Sequence, residues 1–213
     1  MINTEKYIRI QRELRKKIIL EDRLPGEIKT IAGVDQAFPE RDRVRSCIVV
    51  LSFPELNEIE RAFSEIETGF PYIPGLLTFR EGPSIIEAYK KLRKRPDVLM
   101  IDGHGIAHPR RMGIATHVGI LLDIPTVGVA KKKLIGDFKA PERIGEYEPL
   151  RYQNKIIGAV LKSREGCNPI FISPGHKISL KTGIEVVKKC LRGHKLPEPT
   201  RLAHKFVNIS EKS

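Results

Sequence analysis

The chain has no tryptophan, and aromatic residues of any kind fill only 6% of its 213 positions. Its three cysteines, Cys47, Cys167 and Cys190, are scattered. They lack the paired spacing of a zinc ribbon and are too few for a disulfide framework, a usage that suits a reducing compartment. No apolar run approaches the roughly 18 residues of a membrane span, and the charged, polar start does not read as a signal peptide. A cytoplasmic protein without a membrane partner is expected. The chain also lacks the G-x-x-x-x-G-K-[ST] of a P-loop and the G-x-S-x-G of a nucleophile elbow, and none of its six histidines lies in H-E-x-x-H. With no repeat, low-complexity tract or Gly/Ser linker, the length suits one domain over residues 1–213.

Positive charge is abundant. Lysine and arginine number 38 against 26 aspartate and glutamate, a formal net charge of +12. That excess points to a polyanionic partner, nucleic acid first. The cations cluster at Arg15-Lys16-Lys17, at Lys90-Lys91-Leu92-Arg93-Lys94-Arg95 and at Lys131-Lys132-Lys133. Each run alone reads as a solvated helix face; together they suggest a track for phosphates.

The hydrophobic patterning predicts a mixed α/β fold. Ile10, Leu14 and Ile18 at helical spacing give an amphipathic helix over 4–19. Strands follow at 30–38, 47–53 and 58–67, close enough in succession for an antiparallel meander. The double proline of Phe70-Pro-Tyr-Ile-Pro-Gly75 rules out helix and central strand. Helix 78–95, strand 97–102, helix 111–122 and strand 125–130 then form β-α units, which imply parallel strands. A strand pair at 156–163 and 169–173 and helices at 179–192 and 199–210 complete the chain. Three hairpin strands followed by two α/β units is the order of ribonuclease H-like nucleases, a mixed sheet flanked by helices.

The most informative stretch runs from Asp97 to Gly113. The apolar residues Val98 to Ile101 end on Asp102, followed by Gly103 and Gly105. A carboxylate is costly in a core, so Asp102 belongs at the strand's mouth, facing water or a cation, although it also suits a helix cap. Asp35 lies near the end of the first strand, and Glu81 lies in the opening turn of the first long helix. Thr78-x-x-Glu81 also fits a capping box. If the first strand and strand 97–102 are neighbours, Asp35 and Asp102 meet. Hard divalent cations such as Mg²⁺ or Mn²⁺ take such oxygen ligands together with waters and substrate phosphate, and metal-dependent phosphodiester chemistry follows.

These residues resemble the endonuclease V family. The similarity is carried by Ala-Gly-Val-Asp35, Phe70-Pro-Tyr-Ile-Pro-Gly75-Leu-Leu-Thr-Phe-Arg-Glu81-Gly-Pro, Asp97 through Gly113, Ile124-Pro-Thr-Val-Gly-Val-Ala-Lys131, Ser173-Pro-Gly-His176 and Pro197-Glu-Pro-Thr-Arg-Leu-Ala-His204. These blocks are in family order from about residue 30 to 204. The resemblance implies a ribonuclease H-like fold and a Mg²⁺-dependent nick, with Mn²⁺ as a substitute, at the second phosphodiester bond 3′ to a deaminated adenine. The implied catalytic set is Asp35, Glu81, Asp102 and His204, with Asp35 and Asp102 as direct metal ligands and Glu81 completing the site. Pro71, Tyr72, Ile73 and Pro74 are similar to the family's strand-separating wedge. Stiffened by two prolines, they would replace base stacking lost at the lesion. A flipped base would enter a pocket where N–H groups of Gly75, Gly103 and Gly105 read its carbonyl and Leu77, Ile114 and Leu134 form apolar walls. His108 and Lys131 are expected at phosphates. The expected partner is deoxyinosine-containing DNA, with inosine-containing RNA left open, acted on by a monomer. A non-catalytic binding module and another nuclease of the same fold class, such as a junction resolvase or general ribonuclease, are the other readings.

Overall fold

Alternating and continuous apolar runs place eight strands in one sheet, and amphipathic segments cover both of its faces. The computed structural model describes residues 2–209. In chain order the elements are α1 (Thr4–Arg15), β1 (Thr30–Ala37), β2 (Arg43–Ser52), β3 (Glu58–Glu67), α2 (Leu77–Lys90), β4 (Val98–Asp102) and α3 (Ile114–Leu122), then β5 (Thr126–Ala130), β6 (Tyr147–Tyr152), β7 (Lys155–Leu161), β8 (Ile170–His176), α4 (Leu180–Lys189) and α5 (Glu198–Val207). Ser210, the last residue of the expected final helix, and the ends of the expected domain 1–213 lie outside the described residues. Among the described residues no helix is long and apolar enough to cross a membrane.

The strand order is β3-β2-β1-β4-β5-β8-β7-β6. The expected meander is present: β1 and β2, and β2 and β3, pair antiparallel. The expected parallel core is present as well, β1 with β4 and β4 with β5. On one face α2 and α3 pack Ile85, Ala88, Ala115 and Val118 over Ala32, Val34, Ile48 and Leu99. On the other, α4 and α5 pack Ile184, Val187, Ala203 and Val207 over Ile31, Val49, Met100 and Val127.

Three strands depart from expectation, β2 by beginning at Arg43 rather than at 47. β6 was not anticipated: Tyr-Glu-Pro-Leu-Arg-Tyr carries a proline and buries only Leu150, as suits an edge strand. β8 runs past Ser173 to His176, because Pro174 and Gly175 sit at a register shift against Thr126 and Val127, where a bulge tolerates proline. The expected helix 78–95 stops at Lys90. Glu60 on β3 accepts the N–H groups of Arg93 and Lys94 and holds the chain out of helix.

One close approach orients α5. A Cβ on Gly33 would lie 2.0 Å from the Pro199 carbonyl carbon, so only glycine lets the start of α5 rest on β1. That seat carries His204 to the end of the same strand.

Candidate active site

Val34 of β1 pairs with Ile101 of β4 in parallel register. The next residues are Asp35 and Asp102, so two carboxylates leave neighbouring strands side by side at their carboxy-terminal ends. Parallel strands end together, which is why sites of α/β sheets collect there. Glu81 reaches the same end from α2 and is 6% exposed. Its helix begins on Leu76 without any side-chain cap, and Thr78 lies inside it. The capping box is therefore not formed, and Glu81 is left to face the two aspartates.

Each aspartate already has a partner. His204 Nδ1 lies 2.5 Å from Asp35 Oδ2, and Lys131 Nζ lies 2.5 Å from Asp102 Oδ2. Among the described residues Glu81 has neither a hydrogen bond nor an ion pair. Burial, the Asp35 charge and, less, the Asp102 charge push its carboxyl up to about 8, with Arg80 opposing. Burial and then Asp35 also raise Asp102, against the pull of Lys131. The three acids thus form one electrostatic unit. Among the described residues no three His, Cys, Asp or Glu side chains are already arranged to hold a cation; Asp35 and Asp102 instead engage His204 and Lys131. The donors are nonetheless all oxygen and the third carboxylate is unpartnered, a set that fits a hard divalent ion.

The Glu81 shift has a testable sign. An acid whose pKa is higher in the fold favours folding when protonated, so that stability is full below the usual 4.5 and is lost as pH rises through about 8. In chelator, the melting midpoint of the parent should fall more than that of Glu81→Gln between about pH 5 and about pH 9. Parallel profiles would mean that Glu81 is ionised in the fold.

Beside the acids lies a cleft of about 160 Å³. The segment after β3 forms one wall with Tyr72, Ile73, Pro74, Gly75 and Leu77. Gly103 and Ile114 face it, and the half-exposed Leu134 stands at its rim. Of the expected wedge, Pro71, Tyr72 and Pro74 are exposed and Ile73 half-buried, with Tyr72 at 70%. The base of this loop is fixed by Phe70, which packs edge-on against Tyr7 of α1 and lies against Phe79 of α2. Arg80 adds hydrogen bonds to the Phe70 and Arg41 carbonyls.

Three assignments are corrected. Gly105 does not line the cleft: it is buried and its N–H donates to Ser173 Oγ. Gly103 does line it, but its N–H donates to the Val129 carbonyl. Among the described residues, cleft-lining N–H groups without a hydrogen-bond partner include that of Gly75, those of Leu77 and Thr78 in the opening turn of α2, and that of Ile114, which opens α3. His108 is no phosphate-binding cation. It is buried in the cleft wall, its Nδ1 accepts the Arg110 and Met112 N–H groups, and burial and then the Arg110 charge pull its pKa down to about 4.

Sequence reasoning missed Gln11 and the structural roles of Arg80 and Arg110. Gln11 left a signal: a polar residue in the stripe of Tyr7, Ile10, Leu14 and Ile18, where burial demands specific partners.

The chain matches the model of the endonuclease V family over residues 12–205. An endonuclease V of Trichormus variabilis is 45% identical over 209 residues, covering 97% of this chain and 95% of that protein. The crystal structure of the Bacillus subtilis endonuclease V superposes with a TM-score of 0.91 at 36% identity, over 97% of this chain and 91% of that one. The Ciona intestinalis endonuclease V, solved with a 24mer DNA containing an inosine followed by a ribo-adenosine, superposes at 0.83 with 28% identity, over 96% and 95% of the two chains.

Proposed function

The chain belongs to the endonuclease V family of DNA endonucleases, with its ribonuclease H-like fold, and from that premise we propose that it nicks DNA at deoxyinosine. The cut falls at the second phosphodiester bond 3′ to the lesion and leaves 3′-hydroxyl and 5′-phosphate ends. The observation that carries the reading is the conjunction of three clustered carboxylates with an apolar cleft and an exposed tyrosine at the carboxy-terminal end of the central parallel strands. We further propose that the chain acts as a cytoplasmic single-domain monomer.

Asp35, Asp102 and Glu81 would hold a divalent ion, Mg²⁺ with Mn²⁺ as substitute. Such an ion activates water for attack on phosphorus and stabilises the leaving oxygen. His204 places Nδ1–H on Asp35 and, being exposed, leaves Nε2 open to solvent, so it can accept or pass a proton at that atom. Lys131 neutralises Asp102, and its side chain is exposed enough to meet the scissile phosphate. The cleft takes the flipped base. Hypoxanthine has a carbonyl where adenine has an amino group, so the donors at Gly75, Leu77 and Thr78 favour it. Pro71 to Pro74 fill the gap left in the duplex.

Matched labelled duplexes carrying one inosine, in DNA and in RNA, test this with and without Mg²⁺. The expected result is a metal-dependent nick mapped to the second bond 3′ of inosine. Equal cutting of undamaged RNA, or a preference for four-way junctions, would overturn it.

A further inference from the structure

We propose that Gln11 is a positioning residue that sets the spacing of the two walls of the base cleft, and through it the discrimination between bases. The inference rests on the base-cleft reading above. Gln11 is the only buried residue of α1 and is 0% exposed. It lines no part of the cleft. Its side chain instead holds two segments that do, Gly75 and Met112.

Gln11 Nε2 donates to the Gly75 carbonyl at 2.9 Å and to the Met112 carbonyl at 3.4 Å. Its Oε1 accepts from Arg110 Nε at 2.6 Å. Because Arg110 can only donate, the carboxamide has one allowed orientation, with both amide hydrogens toward carbonyls. Arg110 closes the node by donating from its terminal nitrogen to the same Gly75 carbonyl at 2.7 Å, and among the described residues it has no carboxylate partner. Gly75 has φ +79°, and a Cβ there would lie 2.6 Å from the Arg110 guanidinium. The carbonyl therefore turns inward to the node at the point where the wedge loop enters α2. Met112 stands one residue before Gly113, the cap of α3. One amide thus ties the start of α2 to the start of α3. A base is judged by donors and walls held within fractions of an ångström, and a rigid frame is what rejects the wrong one.

Gln11→Glu keeps the volume and the Arg110 contact but sets a carboxylate oxygen against two carbonyls. Two measurements test the role. The first is equilibrium binding, without added metal, of single strands carrying inosine or adenine at one position. The inosine preference should fall about tenfold, the scale of losing buried hydrogen bonds. The second is amide hydrogen exchange, which should accelerate at residues 75–79 and 112–114 relative to the central strands. Should Gln11→Glu fail to fold, Gln11→Met retains the packing and meets the same two measurements. Equal weakening on both strands with unchanged local exchange would show a merely structural residue and overturn the proposal. Equal affinities in the unmutated protein would instead overturn the base-cleft reading. The exchange result alone would then decide whether Gln11 positions the two walls.

Discussion

Asp102→Asn is expected to lower metal-dependent nicking by at least about a thousandfold, because a bound ion supplies several kcal/mol of transition-state stabilisation. The amide preserves the shape of the carboxylate and removes its charge, so a cation held as proposed would lose one of three anionic ligands. Strand binding should persist, since Lys131 is then freed of its partner and the local field becomes more positive. Stability should move in the opposite direction from activity. Burial and Asp35 disfavour the ionised form of Asp102 in the fold, so a neutral side chain relieves repulsion and the melting midpoint in chelator should hold or rise. Active sites commonly trade stability in this way. Single-turnover rates at saturating Mg²⁺, with melting and strand affinity on the same preparation, separate the three effects. A near-normal rate in Mg²⁺ would remove Asp102 from the reaction.

That Asp35 and Asp102 meet was legible because each lies at or near the end of a strand whose apolar run is visible in the sequence. Parallel neighbours then bring equivalent ends together. Glu81 was readable as acidic and helical, but Thr78-x-x-Glu81 offered a capping role that fails only because the helix begins at Leu76. Nothing local distinguishes those outcomes. The roles of Gly103 and Gly105 were misjudged for a related reason. Glycine frees a backbone N–H sterically, but whether that group is already spent depends on distant residues, here Val129 and Ser173. Gln11 is the extreme case, with its partners 64 and 101 residues away.

The basic run at 90–95 shows the limit of reading charge along a chain. It lies at and beyond the carboxy-terminal end of α2, whereas Glu81 lies in the first half of that helix. Several of its members have local work. Lys91 donates to the Phe63 carbonyl of the edge strand β3, and Arg95 stands over the Tyr89 ring. The Lys91 contact occupies one carbonyl of a sheet edge that would otherwise invite pairing. Lys131, by contrast, lies at the acids, paired with Asp102, and is the cation we propose meets phosphate.

Tyr72→Ala separates recognition from chemistry and carries the second large effect. Tyr72 is 70% exposed at the tip of a loop stiffened by Pro71 and Pro74, so the fold draws little from it and the change should cost within about 0.5 kcal/mol of stability. A duplex must surrender stacking of roughly a few kcal/mol per step to release a base, and an aromatic ring returns about 1–3 kcal/mol of it. The cleavage efficiency on inosine in a paired duplex should therefore fall about 10- to 100-fold, each 1.4 kcal/mol being a factor of ten. A single strand has less stacking to replace and should lose much less. Because the cleft that Tyr72 lines does not include Asp35, Glu81 or Asp102, the single-turnover rate on strands already bound should change little. Equal slowing of duplex and single strand would reject the wedge, and a direct contact between Tyr72 and the flipped base or the scissile strand would then be the better account.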